Sequence, residues 1–288
     1  MSLTNKYFVL ATDLDGTLLR SDQSISQFDA SMLFKLQEGG VNVVFASGRT
    51  SFDVINRYEK LGLRRENAYV IGTAGCEIVK ISDRSLLYTN GLTAEVVPIA
   101  VDFCKANNYN IEFYYKTTHL VCTKLNKHHD YHARVTDLQT TVISYEEMKE
   151  RCIKSPPMKF LITEDPELVS TKIIPSLKEL LPPSAKPVRT EPFYCEVIPS
   201  SEGKAHALEW LCENIFHCSM ENVLSVGDSG NDVDMLLSCG GSYCPSNASD
   251  AAKEVAKHIS TYSNEENCVG QMINSVFFEN KYKPDEDT

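Results

Sequence analysis

Short apolar runs alternate with helical patterns at both ends of the 288-residue chain. Such runs, bounded by loop residues, are typical of strands buried on both faces of a parallel sheet. The helical patterns place apolar residues three or four positions apart. The strands are predicted at 7–11, 41–46, 68–71 and 222–226, and helices near 26–36, 51–61 and 204–215. This order predicts an α/β fold with a doubly wound, Rossmann-like parallel sheet.

The middle of the chain breaks this alternation. A predicted helix at 94–107 is followed by two runs, 109–115 and 119–124, that read as paired strands. Further strand-like runs occur at 158–163 and 193–198. We expect the chain to return to the first domain, the core, at the second of these runs. We therefore predict a core made of residues 1–83 and 192–288, with an α+β domain of residues 84–191 inserted into it.

The net charge of −11 argues against binding to nucleic acid or to an anionic membrane surface, because phosphate groups repel an acidic protein. No apolar run approaches the roughly 20 residues that cross a bilayer. The ten cysteines are scattered without a pairing rhythm, which favours reduced thiols over a disulfide framework. We expect a cytoplasmic protein, either a monomer or a homodimer.

Polar residues follow three of the predicted strands directly. Asp13 and Asp15 come after the first strand, Ser47 after the second, and Asp228 after the strand at 222–226. Open parallel sheets bind their ligands at the carboxyl ends of the strands. We therefore expect these side chains to share one crevice.

The acids of this crevice suit a hard divalent cation. Asp13 and Asp228 offer the oxygen ligands that Mg²⁺ prefers. With Asp15 and Asp232 nearby, the carboxylates would repel one another unless a cation intervened. Lys204 offers a second, fixed positive charge.

The segment 47–49 forms a natural cradle for an anion. Ser47 contributes a hydroxyl group, and the amides of Gly48 and Arg49 would lie at a helix start, where the backbone favours negative charge. Ser47 could equally be a plain helix cap. Hydrolysis of phosphate monoesters is among the slowest uncatalysed reactions, so charge neutralisation and alignment must supply most of its catalysis.

Four segments together resemble the motifs of the haloacid dehalogenase phosphatases. The segments are DLDGTLL at 13–19, SGR at 47–49, KAHAL at 204–208 and GDSGND at 227–232, in the order of that family. The resemblance is to the Cof-type sugar-phosphatase branch, and the insert resembles the large C2-type cap domain of that branch.

The resemblance implies roles for individual residues. Asp13 would be the nucleophile that forms an aspartyl-phosphate, and Asp15 would protonate the leaving group and then activate water. The residues implied to bind Mg²⁺ are Asp13, Asp15 through its carbonyl, Asp228 and Asp232; those implied to bind phosphate are Ser47, Gly48, Lys204 and Asn231. The resemblance implies that the substrate is a small phosphorylated metabolite, a sugar phosphate, and that the cap reads its leaving group.

The sequence alone leaves two other functions open. A phosphomutase of similar architecture would isomerise a sugar phosphate without releasing free phosphate. A non-catalytic sensor would bind a phosphometabolite and hydrolyse nothing, although the intact set of acids weighs against it.

Two further features bear on the interpretation. The family usually has Asn-Gly-Ala after the third strand, where this chain has Ala74, Gly75 and Cys76, a departure that concerns substrate contacts.

Three histidines between 128 and 132 have a spacing that fits no closed tetrahedral metal site, so we expect surface polar residues there.

Overall fold

The computed structural model describes residues 6–115 and 119–284, which divide into two compact units. Of the described residues, the core unit comprises 6–88 and 204–284, and the insert unit comprises 89–115 and 119–203. Within the described stretches, no helix has both the length and the apolar character that spanning a membrane requires.

The core unit alternates strands and helices as the sequence pattern predicts. Its strands are β1 (Val9–Thr12), β2 (Asn42–Ala46), β3 (Ala68–Gly72), β4 (Glu77–Lys80), β5 (Leu86–Thr89), β12 (Val223–Val226), β13 (Gly241–Cys244) and β14 (His258–Ile259). Its helices are α1 (Gln27–Glu38), α2 (Ser51–Glu59), α8 (Lys204–Leu211), α9 (Val233–Ser238), α10 (Asp250–Val255) and α11 (Cys268–Phe278).

One sheet of eight strands runs through the core unit in the order β14-β13-β12-β1-β2-β3-β4-β5. The strands from β14 to β3 pair in parallel, and β4 pairs antiparallel with β3. Side chains of β1 alternate between the two faces, so that Leu10 packs with α1, α2 and α11 while Val9 packs with α8 and α9. Helices cover both faces, which confirms the doubly wound α/β fold.

The insert unit has its own sheet and its own hydrophobic core. Its strands are β6 (Asn110–Tyr115), β7 (His119–Cys122), β8 (Gln139–Val142), β9 (Phe160–Thr163), β10 (Ala185–Arg189) and β11 (Tyr194–Pro199), in the order β10-β11-β9-β6-β7-β8. Its helices are α3 (Val96–Asn107), α4 (Lys127–Thr136), α5 (Tyr145–Lys154), α6 (Pro166–Leu168) and α7 (Ile174–Leu180).

The boundaries of the units differ from those that the sequence pattern suggests. The insert unit covers 89–203 rather than 84–191, because the run at 193–198 is β11, which pairs antiparallel with β9 and β10. A short apolar run looks the same in a parallel and an antiparallel sheet, so its pattern could not assign it to one unit. The core resumes at Lys204.

The prediction of surface histidines between 128 and 132 is wrong for two of the three. His129 is 1% exposed and His132 is 5% exposed. Both rings hydrogen-bond to the fully buried carboxylate of Glu112 on β6. A buried imidazole needs such a partner, and this one lies on a different element of the insert unit.

Candidate active site

Three adjacent strand ends of the core unit build the site. The backbone of Asp13 continues the ladder beyond β1, where its N–H donates to the carbonyl of Val226 over 2.9 Å. Ser47 follows β2 in the same way, with its N–H 2.8 Å from the carbonyl of Ile71. Because β12, β1 and β2 are neighbours in the sheet, the residues that follow them meet at one edge.

Lys204 lies at the centre of the predicted acidic cluster. Its Nζ is 2.5 Å from Oδ1 of Asp13 and 2.7 Å from Oδ1 of Asp232. Carboxylate oxygens of Asp13, Asp228 and Asp232 lie within 4.8 Å of one another. One buried ammonium group thus contacts two of the three carboxylates, and its single charge is too small to neutralise all three.

The pKa values reflect this shortage of positive charge. Burial raises the pKa of Asp13 well above its ordinary range, and the charges of Asp232 and Asp228 raise it further, while Lys204 opposes the rise. Burial and Asp232 also raise the pKa of Asp228, to about 7. Burial alone would lower the pKa of Lys204, but Asp13 and Asp232 raise it above its ordinary value. The cluster thus attracts a further cation or protons.

A tight turn after Asp13 brings the motif segments 13–17 and 227–232 together. Gly16 has a φ of +75°, and a Cβ atom on it would lie 2.6 Å from Oδ2 of Asp228, so only glycine fits here. The hydroxyl group of Thr17 donates to Oδ1 of Asp228 over 2.9 Å. Thr17 had no assigned role in the sequence, and this bond orients the Asp228 carboxylate.

Asp232 closes the loop that carries Asp228. Its Oδ2 accepts from the amides of Asp228 and Ser229 at 3.1 and 3.0 Å, while its Oδ1 faces Lys204. This fully buried carboxylate therefore links the two halves of the site.

The carboxylate of Asp15 is held by the side chain of Arg49. Nε and Nη2 of Arg49 donate to the two carboxylate oxygens of Asp15, each over 2.7 Å, and Asp53 and Gln23 hold the same guanidinium group. Burial would raise the pKa of Asp15, but the bonds and charge of Arg49 lower it instead. The SGR motif at 47–49 predicted a role for the amide of Arg49 only, and the role of its side chain was missed.

The side chains of two predicted phosphate ligands, Ser47 and Asn231, hydrogen-bond to residues close to them in the sequence. The hydroxyl group of Ser47 accepts from the amide of Arg49 at 3.1 Å, and Gly48 lies between them. Thr50, not Ser47, caps the helix α2, since its hydroxyl accepts from the amide of Asp53. Asn231 accepts locally from Ser229 over 2.7 Å. The role of Ser47, Gly48 and Asn231 toward phosphate stays a prediction.

The acidic cluster meets the chemical requirements of a divalent cation site. All its donors are carboxylate oxygens, the set that Mg²⁺ and other hard cations select. Burial raises the pKa of Asp228, and the negative charge of Asp232 raises it further. A cation held by Asp13, Asp228 and Asp232 would relieve that repulsion.

Comparison with known proteins places the chain in a family. The family model described as haloacid dehalogenase-like hydrolase matches residues 10–273. Among curated relatives, the chain is 27% identical over 272 residues to the 5-amino-6-(5-phospho-D-ribitylamino)uracil phosphatase YcsE of Bacillus subtilis (strain 168), covering 92% of this chain and 94% of that protein.

Solved structures share the fold over nearly the whole chain. A haloacid dehalogenase-like hydrolase from Bacteroides thetaiotaomicron is 27% identical, with a TM-score of 0.81 over 94% of this chain and 100% of that one. The subclass IIB sugar phosphatase BT4131 is 18% identical, with a TM-score of 0.78 over 93% and 98% of the two chains. The second likeness shows the fold alone.

Proposed function

The chain belongs to the haloacid dehalogenase-like hydrolase family, and from that premise we propose that it is a magnesium-dependent phosphatase of a small phosphorylated metabolite. The observation that carries the proposal is the Lys204 ammonium group between Asp13 and Asp232, with Asp228 beside them. The proposed nucleophile, the fixed positive charge of Lys204 and the proposed site for a divalent cation then lie together at one edge of the sheet.

In the first step, a carboxylate oxygen of Asp13 attacks the phosphorus atom, and the bond between phosphorus and the ester oxygen breaks. The leaving alkoxide takes a proton from Asp15, and the phosphoryl group remains on Asp13 as an aspartyl-phosphate. Lys204 neutralises charge that gathers on the phosphoryl oxygens, with Ser47, Gly48 and Asn231 as further proposed contacts.

In the second step, Asp15 takes a proton from water, the water oxygen attacks phosphorus, and the bond to Asp13 breaks to release phosphate. The guanidinium group of Arg49 lowers the pKa of Asp15 and so favours the carboxylate, which is the form that accepts this proton. The proton that Asp15 gains from water in this step is the one that it gives to the leaving alkoxide in the first step of the next cycle. Arg49 is therefore proposed to position the acid and base of the reaction.

Mg²⁺ is the proposed cofactor, held by Asp13, Asp228 and Asp232 with the backbone carbonyl of Asp15. When bound, it would neutralise negative charge on the phosphoryl group and on the acids. The grouping of the three carboxylates within 4.8 Å supports this assignment.

A sugar phosphate is the proposed substrate class, and the insert unit is proposed to read the leaving group. One relative is named for a substrate whose phosphate sits on a ribityl chain, which is a polyol. A cytoplasmic location and a monomeric or dimeric state stay predictions of the sequence.

The test compares the wild-type protein with Asp13→Asn on a broad panel of phosphate monoesters, with Mg²⁺ and with excess chelator. We expect phosphate release by the wild type, its loss on chelation and recovery with Mg²⁺, and a loss of about 10⁴-fold or more in Asp13→Asn. Circular dichroism and thermal unfolding of both proteins would show that the variant is folded.

Three outcomes would contradict the proposal. Isomerised sugar phosphate without free phosphate would identify a phosphomutase. Tight binding of one ester without turnover would identify a sensor. Full activity in excess chelator would reject the divalent cation.

A further inference from the structure

Two loops of the core unit carry groups that are proposed to hold the divalent cation. One is the turn after β1, in which Gly16 follows the backbone carbonyl of Asp15, and the other begins after β12 and carries Asp228. Gly16 has a φ of +75° and no side chain, so its own backbone restricts the turn less than any other residue would. Contacts that hold this turn from outside would therefore fix the direction of the Asp15 carbonyl.

Asn247, in the loop between β13 and α10, makes such a contact. Its Nδ2 donates to the backbone carbonyl of Gly16 over 2.8 Å. Its Oδ1 accepts from the amide of Asn264 over 3.0 Å, which fixes the orientation of the side-chain amide. Asn264 in turn donates from Nδ2 to the carbonyl of Leu19 over 2.8 Å. Two linked asparagines thus hold the segment 16–19 at both ends.

The loop that carries Asn247 also holds the loop that carries Asp228. Ser249 donates to the carbonyl of Asp228 from its backbone N–H over 2.8 Å and from its hydroxyl group over 2.9 Å. The segment 247–249 therefore bridges the two loops. Neither Asn247 nor Ser249 is charged, so the bridge leaves the charge of the acidic cluster unchanged and its contribution is geometric.

A contribution to folding alone explains Asn247 less well. Its side chain is exposed, and an exposed hydrogen bond competes with water and adds little to the free energy of unfolding. Ser249 is different, because its hydroxyl group also accepts from the amide of Ala252 and caps α10. Asn247 is therefore the residue whose replacement isolates the bridge.

We propose that Asn247 is a positioning residue of the cation site, which fixes the Asp15 carbonyl through Gly16 and relates it to Asp228 through the adjoining Ser249. This inference rests on the proposed function and gives a residue outside the four motif segments a role in the choice of cation. Mg²⁺ requires near-octahedral oxygen ligands at about 2.0–2.1 Å, whereas Ca²⁺ accepts a flexible set at about 2.3–2.6 Å. A loosened carbonyl should therefore weaken the binding of Mg²⁺ more than that of Ca²⁺.

The test measures binding of the metal alone to the full-length protein by isothermal titration calorimetry, with Mg²⁺ and Ca²⁺ as the two probes. The quantity compared is the ratio of the two Kd values, because general damage to the protein affects both. In Asn247→Ala, we expect the Kd of Mg²⁺ to rise about 10-fold, the scale on which residues that orient metal ligands act. The Kd of Ca²⁺ should rise by less than about threefold, because its ligand geometry is flexible.

Phosphate release gives a second readout. The Mg²⁺ concentration for half-maximal activity of Asn247→Ala should rise about 10-fold, in step with the Kd. At saturating Mg²⁺, kcat should stay within about twofold of the wild type, because a bound cation restores the position of its ligands. A large loss of kcat that saturating Mg²⁺ does not restore would contradict a positioning role.

Asn67→Ala is the matched control. Nδ2 of Asn67 also donates to a backbone carbonyl over 2.8 Å, that of Val41. These two residues directly precede β3 and β2, so they lie at the edge of the sheet opposite the site. Asn67→Ala should leave the ratio of Kd values where it is, and thermal unfolding would show that both variants are folded.

A ratio unchanged within about twofold in folded Asn247→Ala would overturn the inference and leave the proposed function standing. An equal change of the ratio in Asn67→Ala would overturn it as well. A wild type that binds neither cation would instead refute the divalent cation of the proposed function, and the inference with it, before any variant is compared.

Discussion

The two units both bury ionic groups, but they balance them differently. In the core unit, Asp13, Asp228 and Asp232 lie close together, and the ammonium group of Lys204 contacts Asp13 and Asp232. In the insert unit, Glu112 has two imidazole partners and Glu196 has a lysine. The core cluster is short of positive charge, whereas the charges on the insert's sheet are matched within the unit.

This difference separates two kinds of buried charge. A cluster with surplus carboxylates is stabilised by a bound cation or by protons, so the surplus itself indicates a metal site. A balanced network can persist without any ligand and contributes mainly to the structure of its unit. Matched substitutions in the two units should therefore have different effects.

The largest effect is expected when the lysine of each unit is replaced by methionine. Lys204→Met and Lys159→Met each leave a buried carboxylate without its cation, which should cost about 3–5 kcal/mol in the free energy of unfolding. Only Lys204→Met should also cost about 10³-fold in kcat on butyl phosphate, because Lys204 is the residue proposed to neutralise charge on the phosphoryl group. Urea unfolding and phosphate release measure the two effects. Equal activity losses in the two variants would remove the functional distinction between the units.

Substitutions of Arg49 test whether the core unit also depends on a carboxylate whose charge is balanced by a basic partner. Arg49→Met frees Asp15 from its bidentate partner, and we expect kcat to fall about 10²- to 10³-fold with little change in KM, the scale of general acid and base catalysis. Arg49→Lys restores the charge without the fork geometry and should recover only part of the loss. A change confined to KM would show that Arg49 binds substrate instead of positioning Asp15.

In the insert unit, Glu112→Gln should reduce the free energy of unfolding by about 3 kcal/mol, because it breaks a buried charge network. The loss should depend on pH. Burial would raise the pKa of Glu112, but His132 and His129 lower it, so this contribution is present above its ordinary pKa of 4.5 and is lost as pH falls through the lowered value.

At alkaline pH, the dependence of the free energy of unfolding on pH comes from His129 and has the opposite sign. Burial would lower the pKa of His129, but bonds to Cys122 and Glu112 raise it from 6.5 to about 10, so its contribution is full below pH 6.5 and is lost as pH approaches 10. Denaturant unfolding between pH 4 and 10 should show the largest difference between wild type and Glu112→Gln at about pH 5–6.5. A difference that does not vary with pH would mean that the network is uncharged.

The core site was more predictable from sequence than the insert. Asp13 and Asp228 each follow a buried strand, and parallel strands necessarily end at one edge of a sheet, so the pattern alone predicted their proximity. The burial of His129 had no local signal, because Glu112 stands 17 residues earlier on another element. The side chain of Arg49 was missed for a similar reason, since its partner Asp15 is distant in the sequence.

The smallest effect concerns backbone strain beside the core site. Ala74 has φ 59° and ψ 31°, a left-handed conformation that disfavours alanine, and its amide donates to the carbonyl of Ser47 over 3.0 Å. In the insert unit, the comparable left-handed positions after α3 and α4 are occupied by Asn108 and Asp137, which tolerate them.

We expect Ala74→Gly to raise the free energy of unfolding by about 0.5–1 kcal/mol, since relief of the strain exceeds the entropy that glycine adds to the unfolded chain. Ala74→Asn, which introduces the asparagine that the resemblance gives for this position, should also relieve strain. Ala46→Gly is the control, because its strand conformation suits alanine and the change should destabilise the protein. If Ala74→Gly were as destabilising as Ala46→Gly, the left-handed turn would store no strain, and the contrast with Asn108 and Asp137 would have no energetic basis.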